Sequence, residues 1–189
     1  MLVRLLAFFL VATGGPTMLL YLYVLAAVIM RLLPHPWNMT PVGAMFRFSG
    51  ATFRRKWDSL LIPLAALLVS DYAVIHVLYA GRYGWFSPYS WAGFLLVGII
   101  GWALRDRITY ATVATGSLAG SVVFFVISNF GVWAAGQLYP HTWTGLATCY
   151  LAGLPFFRNT AIGDMIYAGL MFGSYVLIRY RRPAEIRTA

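Results

Sequence analysis

Apolar residues in this chain run in long blocks, without the three-or-four-residue rhythm of a soluble amphipathic helix, and short loops carrying charge, proline or glycine separate the blocks. Such blocks predict helices in apolar surroundings, because a backbone in lipid must satisfy its polar groups within its own helix. Six crossings are expected, at about 16–33, 41–53, 59–79, 91–104, 109–135 and 158–180, with a short helix over about 143–154 on the outer side. Pro16 and Pro41 suit the first turn of a helix, Thr40 suits the cap before it, and Pro155 separates the short outer helix from the last crossing. Residues 2–13 carry one arginine and an apolar core, as a secretory leader does, but no small-x-small cleavage site follows, so the segment reads as an extension or interfacial piece. The second helix is short: at 1.5 Å per residue it covers about 20 Å of a hydrocarbon core of about 30 Å. It is expected to be tilted, extended at its cytoplasmic end, or shielded inside the bundle.

Composition turns this pattern into a class. Of 189 residues, 61% are hydrophobic and 10% charged, too little polar surface to cover a soluble core. An all-α polytopic membrane protein is expected, with residues 1–189 forming one transmembrane domain without a soluble appendage. The net charge of +9 does not imply nucleic acid, because the basic residues alternate by loop instead of forming one patch. Arg4, Arg54, Arg55, Lys56, Arg105, Arg107, Arg179, Arg181, Arg182 and Arg187 are ten of the fourteen, and six crossings put them all on one side. That side, with both termini, is expected to be cytoplasmic. The single cysteine, Cys149, excludes an intramolecular disulfide.

The polar residues that remain inside the apolar blocks are the candidate chemistry, and they are densest from Ser117 to Asp164. Arg47, Asp71, Asn129 and Asp164 each fall roughly 8–12 Å below the outer interface at the helical rise. With Trp133 and Asn159 they form the expected small-molecule site, in an outward-facing cavity between the second, third, fifth and sixth helices. An arginine or aspartate at that depth needs a partner, and Arg47 with Asp71 is the expected pair, either orienting a ligand or locking two helices together. Asp164 has an alternative in the positive end of its own helix, and Asn129 in interhelical hydrogen bonding. Gly116 and Gly120 make a small-xxx-small packing face. Trp37, Trp85, Trp91, Trp133 and Trp143 fall at the outer interface, where an aromatic belt is the default and a stacking pocket the alternative. His76, His141 and Cys149 lack tight ligand spacing, so neither a metal nor a cofactor is expected.

Four segments carry a resemblance: NMTPVGAMFRFSGATF from Asn38 to Phe53, LLIPLAALLVSD ending at Asp71, GSVVFFVISNFGVW ending at Trp133, and TGLATCYLAGLPFFRNTAIGD ending at Asp164. They resemble a bacterial family of unknown function catalogued as candidate transport proteins, similar in turn to the S components of energy-coupling-factor vitamin transporters. The resemblance implies a six-helix bundle in the bacterial inner membrane that holds a vitamin or metal in an outward-facing pocket. It also implies partners: a membrane coupling subunit and two ATPases. S components commonly dock through an Ala-xxx-Ala face on the first helix; here that helix has Ala26-Ala27 and no such spacing, which leaves a solitary transporter open.

Transport is therefore the leading expectation, with no catalysis by the chain. No Walker motif occurs, so ATP use falls to partners. The runner-up is an intramembrane hydrolase in which Asp71 and Asp164 share a proton and activate water. Its Gly-x-Gly-Asp signature is only half met by Ala161-Ile162-Gly163-Asp164. A non-catalytic membrane assembly factor is the third possibility.

Overall fold

The computed structural model of the chain describes residues 18–34, 36–78, 87–136 and 138–180. The expected N-terminal extension, Trp85 and the basic residues from Arg181 onward lie outside them. Six helices and no strand make up the described residues. They are α1 (Met18–Leu32), α2 (Val42–Thr52), α3 (Lys56–Ala73, continued by a π-helical turn at Val74–Leu78), α4 (Pro88–Trp102), α5 (Tyr110–Ala135) and α6 (Trp143–Tyr180). Local sequence fixes several starts. Ser87 accepts a hydrogen bond from the Tyr89 N–H and Pro88 fills the first helical position of α4. Thr109 and Thr112 form a reciprocal capping box on α5.

Among the described residues three helices are long and apolar enough to cross a membrane: Lys56–His76, Tyr110–Ala135 and Trp143–Ile178. They mark the chain as a membrane protein by length and composition. Helices α1 and α4 are apolar but shorter. Leu61, Val69, Leu118, Val122, Leu151, Met165, Leu170 and Leu177 point outward from the three long helices. So many exposed aliphatic side chains are what a bundle solvated by lipid presents.

The largest departure from the expected layout is α6. The outer helix over 143–154 and the crossing over 158–180 are one helix of 38 residues, with Pro155 inside it. A proline removes one backbone hydrogen bond and crowds the carbonyl four residues earlier. Here α5 braces both sides of the defect: a Cβ at Gly153 would lie 2.5 Å from Asn129 Oδ1, and the Phe157 and Phe125 rings sit 5.0 Å apart.

Of the three options for the short second helix, shielding is the one adopted. Every residue from Val42 to Ala51 is buried, and the other helices pack around α2. Glycines allow the closest approach. A Cβ on Gly50 would meet the Gly98 carbonyl oxygen at 2.1 Å, and one on Gly101 would meet the Arg47 carbonyl oxygen at 2.3 Å. Aromatic layers flank that crossing, with Phe46 stacked on Phe94, Phe94 on Phe124, and Phe48 packed against Tyr23, Phe172 and Tyr175.

Contacts along the helices show that direction alternates. Ser59 at the start of α3 meets Trp102 at the end of α4, whereas Asp71 near the end of α3 meets Trp91 near the start of α4. Gly116 of α5 faces Leu104 and Gly131 faces Tyr89, so α5 runs back along α4. The Tyr23 and Ser174 hydroxyls meet at 2.8 Å, which puts the start of α1 beside the end of α6. The loops holding Arg54, Arg55, Arg105 and Arg107 thus share one end of the bundle, the basic end. The turn around Trp37 and the α5–α6 turn lie at the other. There Asn38 takes a left-handed conformation (φ 59°), Met39 packs on Gly163, and the Asn159 side chain donates to the Trp37 carbonyl at 3.0 Å.

Candidate functional site

Two arginine–aspartate pairs are buried in the bundle, and neither is the expected Arg47–Asp71 pair. The Arg31 guanidinium of α1 contacts the Asp71 carboxylate of α3, and Arg47 of α2 faces Asp164 of α6. Matched depth is a necessary condition for a pair, but the direction each side chain takes around its helix decides it. Asp71 points toward α1 and α4, while Arg47 points toward α5 and α6.

The Arg31–Asp71 pair is the tighter of the two, although Asp71 Oδ1 makes no hydrogen bond beyond the ion-pair contact itself. Arg31 also donates to the Ser70 hydroxyl and lies 3.5 Å from the Leu67 carbonyl oxygen. Asp71 Oδ2 accepts from the Trp91 indole at 3.0 Å. Trp91, expected in an interfacial belt, serves as a donor inside the bundle. The pair ties α1, α3 and α4 together.

The Arg47–Asp164 pair is loose. Arg47 is fully buried, yet its Nη1 stands 3.9 Å from Asp164 Oδ2 and 3.4 Å from the Gly116 carbonyl oxygen. Nη2 is 3.5 Å from the Asp164 carbonyl oxygen, and Nε has no hydrogen-bond partner. Well-formed N–H···O bonds are 2.7–3.2 Å. The Asp164 carboxylate is better served: Ser121 donates to Oδ2 at 2.7 Å and the Ala44 backbone N–H also bonds to it.

Glycines shape this second pair on both sides. A Cβ on Gly43 would fall 2.4 Å and 2.9 Å from the two Asp164 carboxylate oxygens, and one on Gly120 would fall 2.8 Å from Arg47 Nη1. At Gly116 the nearest part of Arg47, Cδ, would be 3.5 Å away. The Gly116/Gly120 face seats neighbouring helices as expected: Leu104 and Val97 on the α4 side would each lie 3.3 Å from the added Cβ atoms, and the Arg47 side chain of α2 shares the space.

Of the six residues expected to form one site, only Arg47 and Asp164 come together. Asp71 belongs to the other pair. The Asn129 amide donates to the Phe125 carbonyl of its own helix at 2.9 Å, and its side chain fits against Gly153, so it joins α5 to α6. Trp133 donates to the Pro140 carbonyl at 3.0 Å with its ring near His141, organising the α5–α6 turn. Asn159 holds the Trp37 turn. Arg31, Ser121 and Gly43 were absent from the expected set. A proton shared between Asp71 and Asp164 finds no support, because each carboxylate has its own arginine. Among the described residues no three His, Cys, Asp or Glu are placed to hold a metal ion.

Fold and site together define an all-helical membrane protein whose core holds one close and one loose arginine–aspartate pair. Within that class, the chain belongs to the Family of unknown function (DUF6580), which matches residues 12–185. No curated protein and no solved structure matches it.

Proposed function

We propose that the chain is a membrane transport protein that captures a small molecule through an acidic or strongly accepting group, using the Arg47 guanidinium and the Asp164–Ser121 pair between α2, α5 and α6. The observation that carries this reading is the unspent donor capacity of Arg47. A buried donor left unmade costs about 1–3 kcal/mol, more on a charged group, and a planar guanidinium suits a carboxylate or phosphate. Asp164 offsets the charge while the site is empty, and the long spacing lets the arginine turn to a ligand without breaking a short bond.

The capture is S-component-like: a vitamin-like molecule enters from the end holding Trp37, Trp133 and Trp143, and the basic end faces the cytoplasm of a bacterial inner membrane. Both termini lie on the cytoplasmic side in this reading. Energy comes from a coupling subunit with ATPases or, given the absent Ala-xxx-Ala face on α1, from an existing gradient. The chain itself performs no catalysis.

Thermal unfolding of the purified protein in mild detergent, screened against small carboxylates, phosphates and vitamin-like molecules, tests the site. At least one compound should raise the unfolding temperature of the wild type and of Trp91→Phe, but not of Arg47→Lys. A shift that persists in Arg47→Lys, or a folded wild type that responds to nothing in the panel, contradicts the proposal.

A further inference from the structure

The basic end holds a second feature, independent of the Arg47 site. Arg54, Arg55 and Lys56 form the turn into α3, and Arg105 and Arg107 lie in the turn between α4 and α5. These turns sit side by side: Arg105 Nε donates to the Gly50 carbonyl near the end of α2 at 2.8 Å, and Lys56 Nζ lies 5.2 Å from the centre of the Trp102 ring. Asp58 and Asp106 are the nearby acids in sequence, yet among the described residues only Arg31 and Arg47 are ion-paired to a carboxylate. Five cations against two acids leave a local excess of three positive charges. The bond to Gly50 holds the Arg105 guanidinium in place at this turn.

The surroundings favour a lipid over a dissolved anion. Trp57 is 74% exposed and Tyr110 is 96% exposed, each beside one of the basic turns. Amphipathic rings at the end of an apolar bundle lie at headgroup level. The first turn of α3 opens here too, and Arg55 gives it no side-chain cap, so free backbone N–H groups add positive potential. Juxtamembrane clusters of this size attract anionic headgroups.

We propose that the Arg54–Lys56 and Arg105–Arg107 turns form a binding site for the phosphate of an anionic phospholipid headgroup, with Arg105 as its oriented donor and Trp57 and Tyr110 flanking the acyl chains. The site fixes the depth of α3 and α5 in the bilayer and would operate whether or not Arg47 binds a transported molecule.

The test uses the full chain, delipidated in detergent and titrated with phosphatidylglycerol, with phosphatidylcholine of the same chains, and with inorganic phosphate, adducts being counted by native mass spectrometry. Phosphatidylglycerol should be retained over phosphatidylcholine, and Arg54→Gln/Arg55→Gln should weaken it by about tenfold or more, as expected from the loss of two charges near a headgroup. Arg105→Gln should weaken it as well, while Arg158→Gln, an exposed position toward the other end of α6, should not. Unfolding temperatures of the exposed-residue variants verify that they remain folded. Equal retention of the two lipids, or unchanged retention by the Arg54/Arg55 variant, overturns the proposal. Inorganic phosphate binding as well as the lipid also overturns it, because the site would then read a free anion.

Discussion

The two buried ion pairs have the same chemistry and different closeness. Arg31 and Asp71 are in direct contact, with Ser70 and Trp91 taking further hydrogen-bonding positions. Arg47 and Asp164 are more deeply buried, yet stand 3.9 Å apart, with Arg47 Nε left over. Charges taken out of water are held at low cost only when their remaining donors and acceptors are matched. The first pair is joined by direct contact and acts as a lock between helices, although Asp71 Oδ1 makes no hydrogen bond beyond that contact. The second is held at longer range, and its unpartnered Arg47 Nε is the basis of the proposed ligand contact.

The most forceful way to separate the pairs is a double-mutant cycle on each, read by denaturant unfolding in mixed micelles. Coupling on the order of 3 kcal/mol is expected for Arg31 with Asp71 and on the order of 1 kcal/mol for Arg47 with Asp164, within the span of contacting residues. Equal couplings would erase the distinction. Next in size is Gly43→Ala, which pushes a methyl group into the Asp164 carboxylate and should cost about 1–3 kcal/mol, as overpacking does. No described glycine presses on Arg31 or Asp71 in this way.

Trp91→Phe removes one donor from Asp71 and should lower stability by about 1.5–3 kcal/mol, the range for a hydrogen bond to a charged group. Ligand-induced stabilisation in the same unfolding assay should be unchanged. Ser121→Ala gives the smallest stability effect, about 1 kcal/mol, because the Ala44 N–H still serves Asp164. Its consequence should fall on ligand affinity, measured by the same shift. If Trp91→Phe abolished ligand response and Ser121→Ala left it intact, the roles of the two pairs would be reversed.

Helix positions were largely legible because apolar blocks act locally: the 41–53 and 109–135 blocks each led to a helix within a few residues of its place, although Pro41 and not Thr40 stands at the cap of α2 and no side chain caps it. Burial of Arg47, Asp71 and Asp164 was legible for the same reason. Their partners were not. Arg31 sits in the last turn of α1, where sequence alone assigns it to the interface, and only the packing of the folded bundle brings it to Asp71. Gly116 and Gly120 announce a close helix contact, which Leu104 and Val97 help make, but spacing cannot name Arg47 as the side chain that shares it. Pro155 is a breaker by local rules, and bracing by α5 overrides it.

The most direct measurement is identification, by solvent extraction and mass spectrometry, of the small molecule carried through gentle purification by wild type and by Arg47→Lys. A defined anionic or acceptor-rich compound present in near-stoichiometric amount in the wild type, absent from folded Arg47→Lys and retained by Trp91→Phe, is the expected result. The same compound retained equally by Arg47→Lys would contradict it, leaving the loose pair as a structural feature of the bundle.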